Sequence, residues 1–548
     1  MARALRLAWG VRVGNRAAQA AGLLLFALPI ATALPLALAP ALDAAAWLSL
    51  WADPQLPRAI GASLFSALAS TLVALLLAML LTTALHGSRA WTWLQQALAP
   101  MLALPHAALA IGLAWLVAPS GALARLIAPI ALWDSPPQWE TVNDRHALLL
   151  SAVLVLKELP FLLWNLAALL TRPEVAAELR AQQAVGRSLG YAPQTLWWRV
   201  GWPVWLPRLA WPLLAVLAYA LTVVDLALIV GPGSPPTLAV LAYADLMDAN
   251  PQRNARGATA ALLLAALLAA LVLAARLLWP VLLRLWTRRA TRGDRPQRDA
   301  ARAAPARAVA AAVVTSYGLA ALALLLLSFA GVYTFPDWLP QQFSAAAWMR
   351  VAEQAGTLGL TAALALAASA LGLLLVVAWF EATPPRWDAV VTPLVLAPLV
   401  LPPLLLMSGL YLGALRLRLD GSLAGLLWAH LLVVLPYSFI TLRPAWRGFD
   451  PRLQQTALAL GRSRRAFWFA VKWPLLARPI AAALAVGFAV SVAQFLATQF
   501  IGVGRFATVT TEAVLLSSGG QRTVAAAFAL MQALLPLAAF ALAARVGR

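Results

Sequence analysis

Long apolar runs separated by short polar segments dominate this 548-residue chain. The runs reach about 20 residues or more, the length that a helix needs to cross a bilayer. A membrane β-barrel would show short alternating segments instead, and the sequence has none. The pattern therefore predicts an all-α polytopic membrane protein with about 12 transmembrane helices. The predicted spans are residues 20–40, 59–85, 95–118, 146–170, 206–230, 257–286, 309–334, 354–380, 389–414, 422–442, 479–502 and 523–544.

Composition supports the same class. Hydrophobic residues make up 63% of the chain and charged residues only 11%, too little charge for the surface of a soluble protein of this length. There are no cysteines, which excludes disulfides, thiolate metal sites and cysteine nucleophiles.

The net charge of +21 raises the question of nucleic-acid binding, but its distribution favours membrane orientation instead. With the N-terminus inside, the cytoplasmic segments and adjoining span ends hold 29 basic and 7 acidic residues, against 10 and 11 in the outer segments. This excess follows the positive-inside rule. We therefore predict both termini in the cytoplasm and no nucleic-acid partner.

Two Arg-rich segments organise the chain. The first precedes an apolar run from Ala20 that is longer than the roughly 7–15 residues of a signal-peptide core, so we predict an uncleaved first span. The second, residues 287–308, contains seven Arg, two Asp and two Pro and is predicted to be a solvated cytoplasmic linker. It divides the chain into residues 1–286 and 309–548. Six spans in each half would give two repeats inserted in the same orientation.

A short pattern occurs once in each half of the chain. In each copy a Gly is followed by nine residues, a Val, one residue and a Trp-Pro pair. The copies are Gly190, Val200, Trp202 and Pro203, then Gly461, Val471, Trp473 and Pro474. Both lie in predicted cytoplasmic segments, so the repetition indicates one kind of surface used twice.

The residues around the pattern predict a short helix, a bend and a return into the membrane. The segments 173–185 and 451–460 are compatible with helices, and the Gly that follows permits a sharp bend. Pro suits the first turn of the next helix. Nearby tryptophans, such as Trp202 and Trp205, fit anchoring at the membrane interface. The product would be a compact, protruding docking surface in each half.

These segments resemble the cytoplasmic loop of the permease subunits of binding-protein-dependent ABC importers. That signature reads Glu-Ala-Ala, three residues, Gly, nine residues, Ile, one residue, Leu-Pro. Here Trp replaces Leu, Val replaces Ile, and the Glu is absent from both copies. The resemblance assigns ATPase docking to Ala184, Gly186, Gly190, Val200, Pro203, Gln455, Ala457, Gly461, Val471 and Pro474.

The resemblance covers the whole chain and is closest to fused permeases, such as those of thiamine and ferric-iron importers. It implies a MetI-like architecture of two parallel six-helix repeats in the bacterial inner membrane. It also implies two copies of a cytoplasmic ATP-binding subunit and a periplasmic solute-binding protein. No cofactor is expected. The chain itself lacks the phosphate-binding Gly-x4-Gly-Lys-Ser/Thr motif, because neither of its two lysines, Lys157 and Lys472, follows a Gly.

Polar residues inside the predicted spans are candidates for function, because ionisable groups in a membrane are costly. Asp225 and Gln494 occupy similar places in the two halves and are candidates for a translocation path, with bonding to a neighbouring helix as the alternative. Lys157-Glu158 is interpreted as an ion pair, with a pathway role as the alternative. No catalytic residues and no metal site are predicted. The alternative functions are a gradient-driven secondary transporter and a polytopic membrane enzyme.

Overall fold

The computed structural model describes residue 27, residues 30–291 and residues 303–546. The Arg-rich N-terminal segment, most of the first half of the first predicted span and residues 292–302 of the Arg-rich linker lie outside these residues. Within the described ranges the chain is helical, with a single isolated β-bridge between Ala330 and Phe343. In this described part of the chain, ten helices are long and apolar enough to cross a membrane, or up to twelve if each of two bent pairs counts as one span. The predicted all-α polytopic class is confirmed.

The chain divides into two compact units, which are described separately. Unit A comprises Ala44–Trp348 and Ser517–Ala527. Its centre is helix Leu56–Leu85, which packs against Leu148–Leu170 and Ala210–Thr222. Helix Ala303–Ser328 also belongs to unit A and packs against His106–Val117. The two backbones approach closely there: a Cβ on Gly112 would lie only 2.5 Å from the carbonyl oxygen of Ala320.

Unit B comprises the chain up to Asp43, Met349–Leu516 and the C-terminal segment from Phe528. Helices Ala355–Ala382, Leu423–Arg447 and Trp473–Val492 pack around one apolar cluster. Helix Pro403–Leu417 meets the first described helix, where a Cβ on Gly409 would lie 1.9 Å from the carbonyl oxygen of Ala33.

The units follow the two sequence halves with two kinds of exception: the segment Ser517–Ala527 belongs to unit A, and the first helix of each half belongs to the other half's unit. Helix Ala303–Ser328, from the second half, lies in unit A, and the helix around Ala33, from the first half, lies in unit B. The boundaries proposed for two sequence repeats, 1–286 and 309–548, stay a prediction.

The prediction of one continuous helix was wrong for two spans. Each of them breaks at a Leu-Pro step. Residues 95–118 divide into Arg89–Ala103 and His106–Val117, and residues 389–414 into Asp388–Val400 and Pro403–Leu417. The residue before a Pro is driven away from helical geometry. Leu104 and Leu401 accordingly adopt extended backbone angles. The second break bends the chain by 101°.

The spans predicted at 206–230 and 479–502 also break, without a proline at the breaks. Helices Ala210–Thr222 and Asp225–Val230 replace the first, and Trp473–Val492 and Leu496–Gly502 replace the second. A Gly-containing turn follows each, and then a short return helix, Leu238–Leu246 or Val509–Ser518.

The return helices are held alike in the two units. The Leu238 amide donates to the Ser63 hydroxyl at 2.8 Å, and the Val509 amide donates to the Thr361 hydroxyl at 3.1 Å. Leu238 and Val509 are as far apart in the sequence as Gly190 and Gly461, so the spacing of the loop pattern extends to this contact.

The other described helices of at least eight residues are Ala44–Trp51, Ala122–Ala131, Pro173–Ser188, Pro251–Ala290, Ala346–Glu353, Pro451–Ala459 and Arg522–Ala543.

Candidate docking loops and polar sites

The first of the two repeated loops begins with a helix that ends in a glycine cap. Helix Pro173–Ser188, named the first loop helix, is followed by Gly190 at φ +79°. The Gly190 amide donates to the Arg187 carbonyl at 2.9 Å, and the Tyr191 amide donates to the Gly186 carbonyl at 3.0 Å. This pair of bonds is the Schellman motif. A left-handed residue is required at its centre, which explains the Gly.

The second loop repeats this cap bond for bond. Helix Pro451–Ala459, named the second loop helix, is followed by Gly461 at φ +75°. The Gly461 amide donates to the Leu458 carbonyl and the Arg462 amide to the Ala457 carbonyl, both at 3.0 Å. The two glycines of the sequence pattern therefore perform the same local task.

The correspondence continues beyond the caps. Each loop adds one short helical turn and then a π-helical turn, and the Trp-Pro pair opens the following helix. The short turns are Pro193–Leu196 and Arg464–Phe467, and the π-helical turns are Trp197–Gly201 and Trp468–Lys472. Each turn of the second loop begins and ends as many residues after its counterpart in the first loop as Gly461 follows Gly190. The repeated sequence spacing therefore corresponds to repeated backbone geometry.

The predicted docking residues are distributed between the surface and the base of each loop. The exposed members are Ala184, Gly190, Val200, Gln455, Gly461 and Pro474, while Pro203, Ala457 and Val471 are half-buried. Gly186 is buried, and a Cβ there would lie 2.3 Å from a methyl carbon of Leu196. Ala184 and Gln455 stand where the resembling family has Glu, and both lie on the exposed surface of the loop helices.

Tryptophans attach the first loop to unit A, and their predicted interfacial anchoring was wrong for the central ones. Trp202 and Trp205 are among the most deeply buried large side chains. The Trp202 indole donates to the Thr83 hydroxyl at 2.9 Å, and its ring packs near those of Trp197 and Trp205. These residues fill the space beneath the loop instead of lining its outside.

Charged residues attach the second loop to unit B, and the sequence reasoning missed them. The Lys472 ammonium pairs with the Glu381 carboxylate. That carboxylate also accepts a hydrogen bond from the Trp446 indole at 2.9 Å. Glu381 and Lys472 lie far apart in the sequence, and sequence spacing carries no signal for such a pair.

A second charged cluster lies nearby and centres on Asp388, which is 1% exposed. Arg447 contacts both Asp388 carboxylate oxygens, at 2.7 and 2.9 Å. It also donates to the carbonyls of Phe380 and Thr383, both at 2.9 Å. Arg447 therefore joins the end of helix Ala355–Ala382 to the end of its own helix.

The two candidate path residues lie at the helix breaks. Asp225 is the first residue of helix Asp225–Val230, and Gln494 lies in the break before Leu496. The side-chain amide of Gln494 donates to the Val490 carbonyl at 3.1 Å. Leu496 follows Asp225 by as many residues as Gly461 follows Gly190. The counterpart of Asp225 in the second half is therefore Leu496, not Gln494. The two polar residues thus occupy neighbouring positions of the same feature.

Lys157 and His430 contact neighbouring polar groups within their own units. The Lys157 ammonium donates to the Leu104 carbonyl, at the break before Pro105, and lies 3.5 Å from the Leu102 carbonyl. The His430 ring nitrogens lie 2.8 Å from the Ser491 hydroxyl and 3.1 Å from the Thr498 hydroxyl. Among the described residues no His, Cys, Asp or Glu group has the arrangement of a metal site.

Comparison with known proteins gives one informative result. No protein-family model matches the chain. Over 519 residues, however, the chain is 39% identical to an Escherichia coli (strain K12) protein named "Inner membrane ABC transporter permease protein YnjC". The alignment covers 93% of this chain and 92% of that relative.

Proposed function

The chain belongs to the inner-membrane permease subunits of ABC transporters, and we propose that it works as an importer. In this proposal a periplasmic binding protein delivers a small solute to the outer face. The membrane helices pass the solute inward, and separate subunits hydrolyse ATP. Both termini lie in the cytoplasm, and the two sequence halves act as parallel six-helix repeats. Selectivity would lie mainly in the binding protein.

The observation that carries the proposal is the pair of equivalent loops. Two helices with the same Gly cap, the same π-helical turn and the same Trp-Pro return suit two copies of one partner. A secondary transporter gives no reason for such a pair. The absent P-loop requires that ATP-driven movement come from another subunit.

The docking face that we propose includes an exposed apolar pair on each loop. Val185 and Leu189 on the first loop, and Leu458 and Leu460 on the second, are all exposed. Exposed apolar residues of this kind suit insertion into a cleft on a partner. The positions that lack the family's Glu would contribute contact area there without a charge.

We place the translocation path beside the helix breaks that contain Asp225 and Gln494. Non-helical backbone at membrane depth is tolerated where it is buried in protein or lines a cavity. Both residues are half-buried, which is compatible with a path on one side of each break.

The test is co-purification of the ATPase with glycine variants of the loops. Gly190→Val and Gly461→Val force a branched side chain into left-handed geometry, at a cost of about 1–2 kcal/mol. We expect each to reduce recovery of the ATPase roughly tenfold if that cost falls on the docked state.

Gly520→Val is the matched control, because Gly520 also has positive φ (+82°) and, as at Gly461, an added Cβ would meet no atom within 4 Å. It lies outside the loops, so its complex should keep the ATPase. An ATPase that never accompanies the wild-type chain, or that binds both loop variants normally, contradicts the proposal.

A further inference from the structure

The second loop is attached to unit B through a lysine enclosed by aromatic rings. The Lys472 ammonium lies 4.6 Å from the ring centre of Trp446, 5.3 Å from that of Trp468 and 5.7 Å from that of Phe449. Cation–π attraction favours such a position. The Glu381 carboxylate adds an opposite charge, so the ammonium has both aromatic and ionic partners.

This lysine lies where three helices meet. Glu381 is next to the last residue of helix Ala355–Ala382, and Trp446 is next to the last residue of helix Leu423–Arg447. Lys472 itself immediately precedes helix Trp473–Val492. These helices share the apolar cluster of unit B. A displacement of the second loop would therefore act on all three through one side chain.

The first loop has an uncharged contact at the equivalent place. Ser63 and Thr361 are equivalent, because each accepts the hydrogen bond from a return helix. Thr83 follows Ser63 by as many positions as Glu381 follows Thr361, so Thr83 is the counterpart of Glu381. Thr83 accepts its hydrogen bond from Trp202. The counterpart of Lys472 is Gly201, where a Cβ would lie 2.5 Å from the Trp205 ring. Indole packing in unit A thus occupies the place that the ion pair holds in unit B.

We propose that Glu381 and Lys472 are positioning residues that hold the second loop rigidly to the membrane helices, so that ATPase movement reaches those helices. The inference rests on the proposed function. The two loops then have the same docking geometry but different attachments. Removing charge beneath the second loop should uncouple that loop alone.

The absence of native cysteines permits a direct test with paired spin labels. One pair, at Arg452 and Leu374, joins the second loop to helix Ala355–Ala382. Both labelled positions are exposed and lie outside the proposed docking face. Distances are measured by double electron–electron resonance on the full chain, alone and in complex with its ATPase, with and without MgATP and vanadate.

In the wild type we expect one narrow distribution of the distance between the two labels. Nucleotide should leave it unchanged, because the loop and the helix move together. Lys472→Met and Glu381→Gln should widen the distribution, and nucleotide should then shift it. Glu381→Gln retains an acceptor for Trp446, so it isolates the charge. Lys472→Arg keeps the positive charge, and a guanidinium can also stack on aromatic rings, so it should restore the narrow distance distribution.

The matched control is Thr83→Val with labels at the exposed Ala181 and Leu76 in unit A. The distance distribution between these two labels should stay narrow, because Trp197 and Trp205 still pack beneath the first loop. Distributions in Lys472→Met and Glu381→Gln as narrow and nucleotide-independent as the wild type would overturn the inference. Failure of the wild-type chain to bind any ATPase would instead overturn the proposed function, while the widths measured on the chain alone still decide the attachment.

Discussion

At the scale of single residues, Asp388 is the most consequential charge in unit B. It is almost fully buried and faces Arg447, whose side chain is 15% exposed. Asp388→Asn would leave that guanidinium without its counter-ion in a poorly solvated place. Breaking a buried ion pair in this way costs about 3–5 kcal/mol. We therefore expect a clearly lower thermal unfolding midpoint for the purified variant.

Asp450→Asn is the control for that substitution. Asp450 caps the second loop helix by accepting from the Arg452 amide at 2.9 Å, and it is exposed. Asn caps a helix about as well as Asp, so the unfolding midpoint should hardly change. Equal effects of the two variants would show that burial of Asp388 contributes little to stability.

At the scale of helices, Lys157 supplies a hydrogen-bond donor to the break before Pro105. Where a helix ends, its last carbonyls have no backbone N–H from a following turn to accept from. In this break the Lys157 ammonium donates to the Leu104 carbonyl. Lys157→Met removes that donor from the membrane interior. Hydrogen bonds from charged donors contribute about 1.5–3 kcal/mol each. We expect a loss of stability of that order, measured by denaturant unfolding in detergent.

Tyr317→Phe provides the comparison for Lys157→Met in the same unit. The Tyr317 hydroxyl donates to the Leu156 carbonyl at 2.8 Å, and its loss removes one neutral hydrogen bond, worth about 1 kcal/mol. A loss for Lys157→Met that is no larger than this would contradict a role for the lysine at the break.

The helices also show which features the sequence could predict. The apolar runs locate nearly every span, and the Leu-Pro steps at 104 and 401 carry a local signal for the breaks there. The break at residues 223–224 carries no proline, and tertiary packing decides it. The repeated Gly and Trp-Pro predict the loop backbone because cap geometry is local. Glu381 and Lys472 could not be paired, because only the folded helices bring them together.

At the scale of the whole molecule, neither sequence half contains all the helices of one compact unit. Gly112 packs closely on Ala320 within unit A, and Gly409 packs closely on Ala33 within unit B. Small residues permit such close backbone approach in membranes. Each unit therefore needs a helix from the other half of the sequence. Because one chain contains both sequence halves, it supplies both helices together.

Orientation in the membrane is the remaining property that belongs to the whole chain. The predicted excess of basic residues on one side places the loop helices in the cytoplasm and residues 329–345 outside. A single Cys can be introduced at Leu339 or at Leu460, which are 61% and 75% exposed. In intact cells a membrane-impermeant maleimide should label Leu339→Cys and spare Leu460→Cys. Both should react after permeabilisation. Labelling of Leu460→Cys alone in intact cells would invert the topology and remove the second loop from reach of a cytoplasmic ATPase.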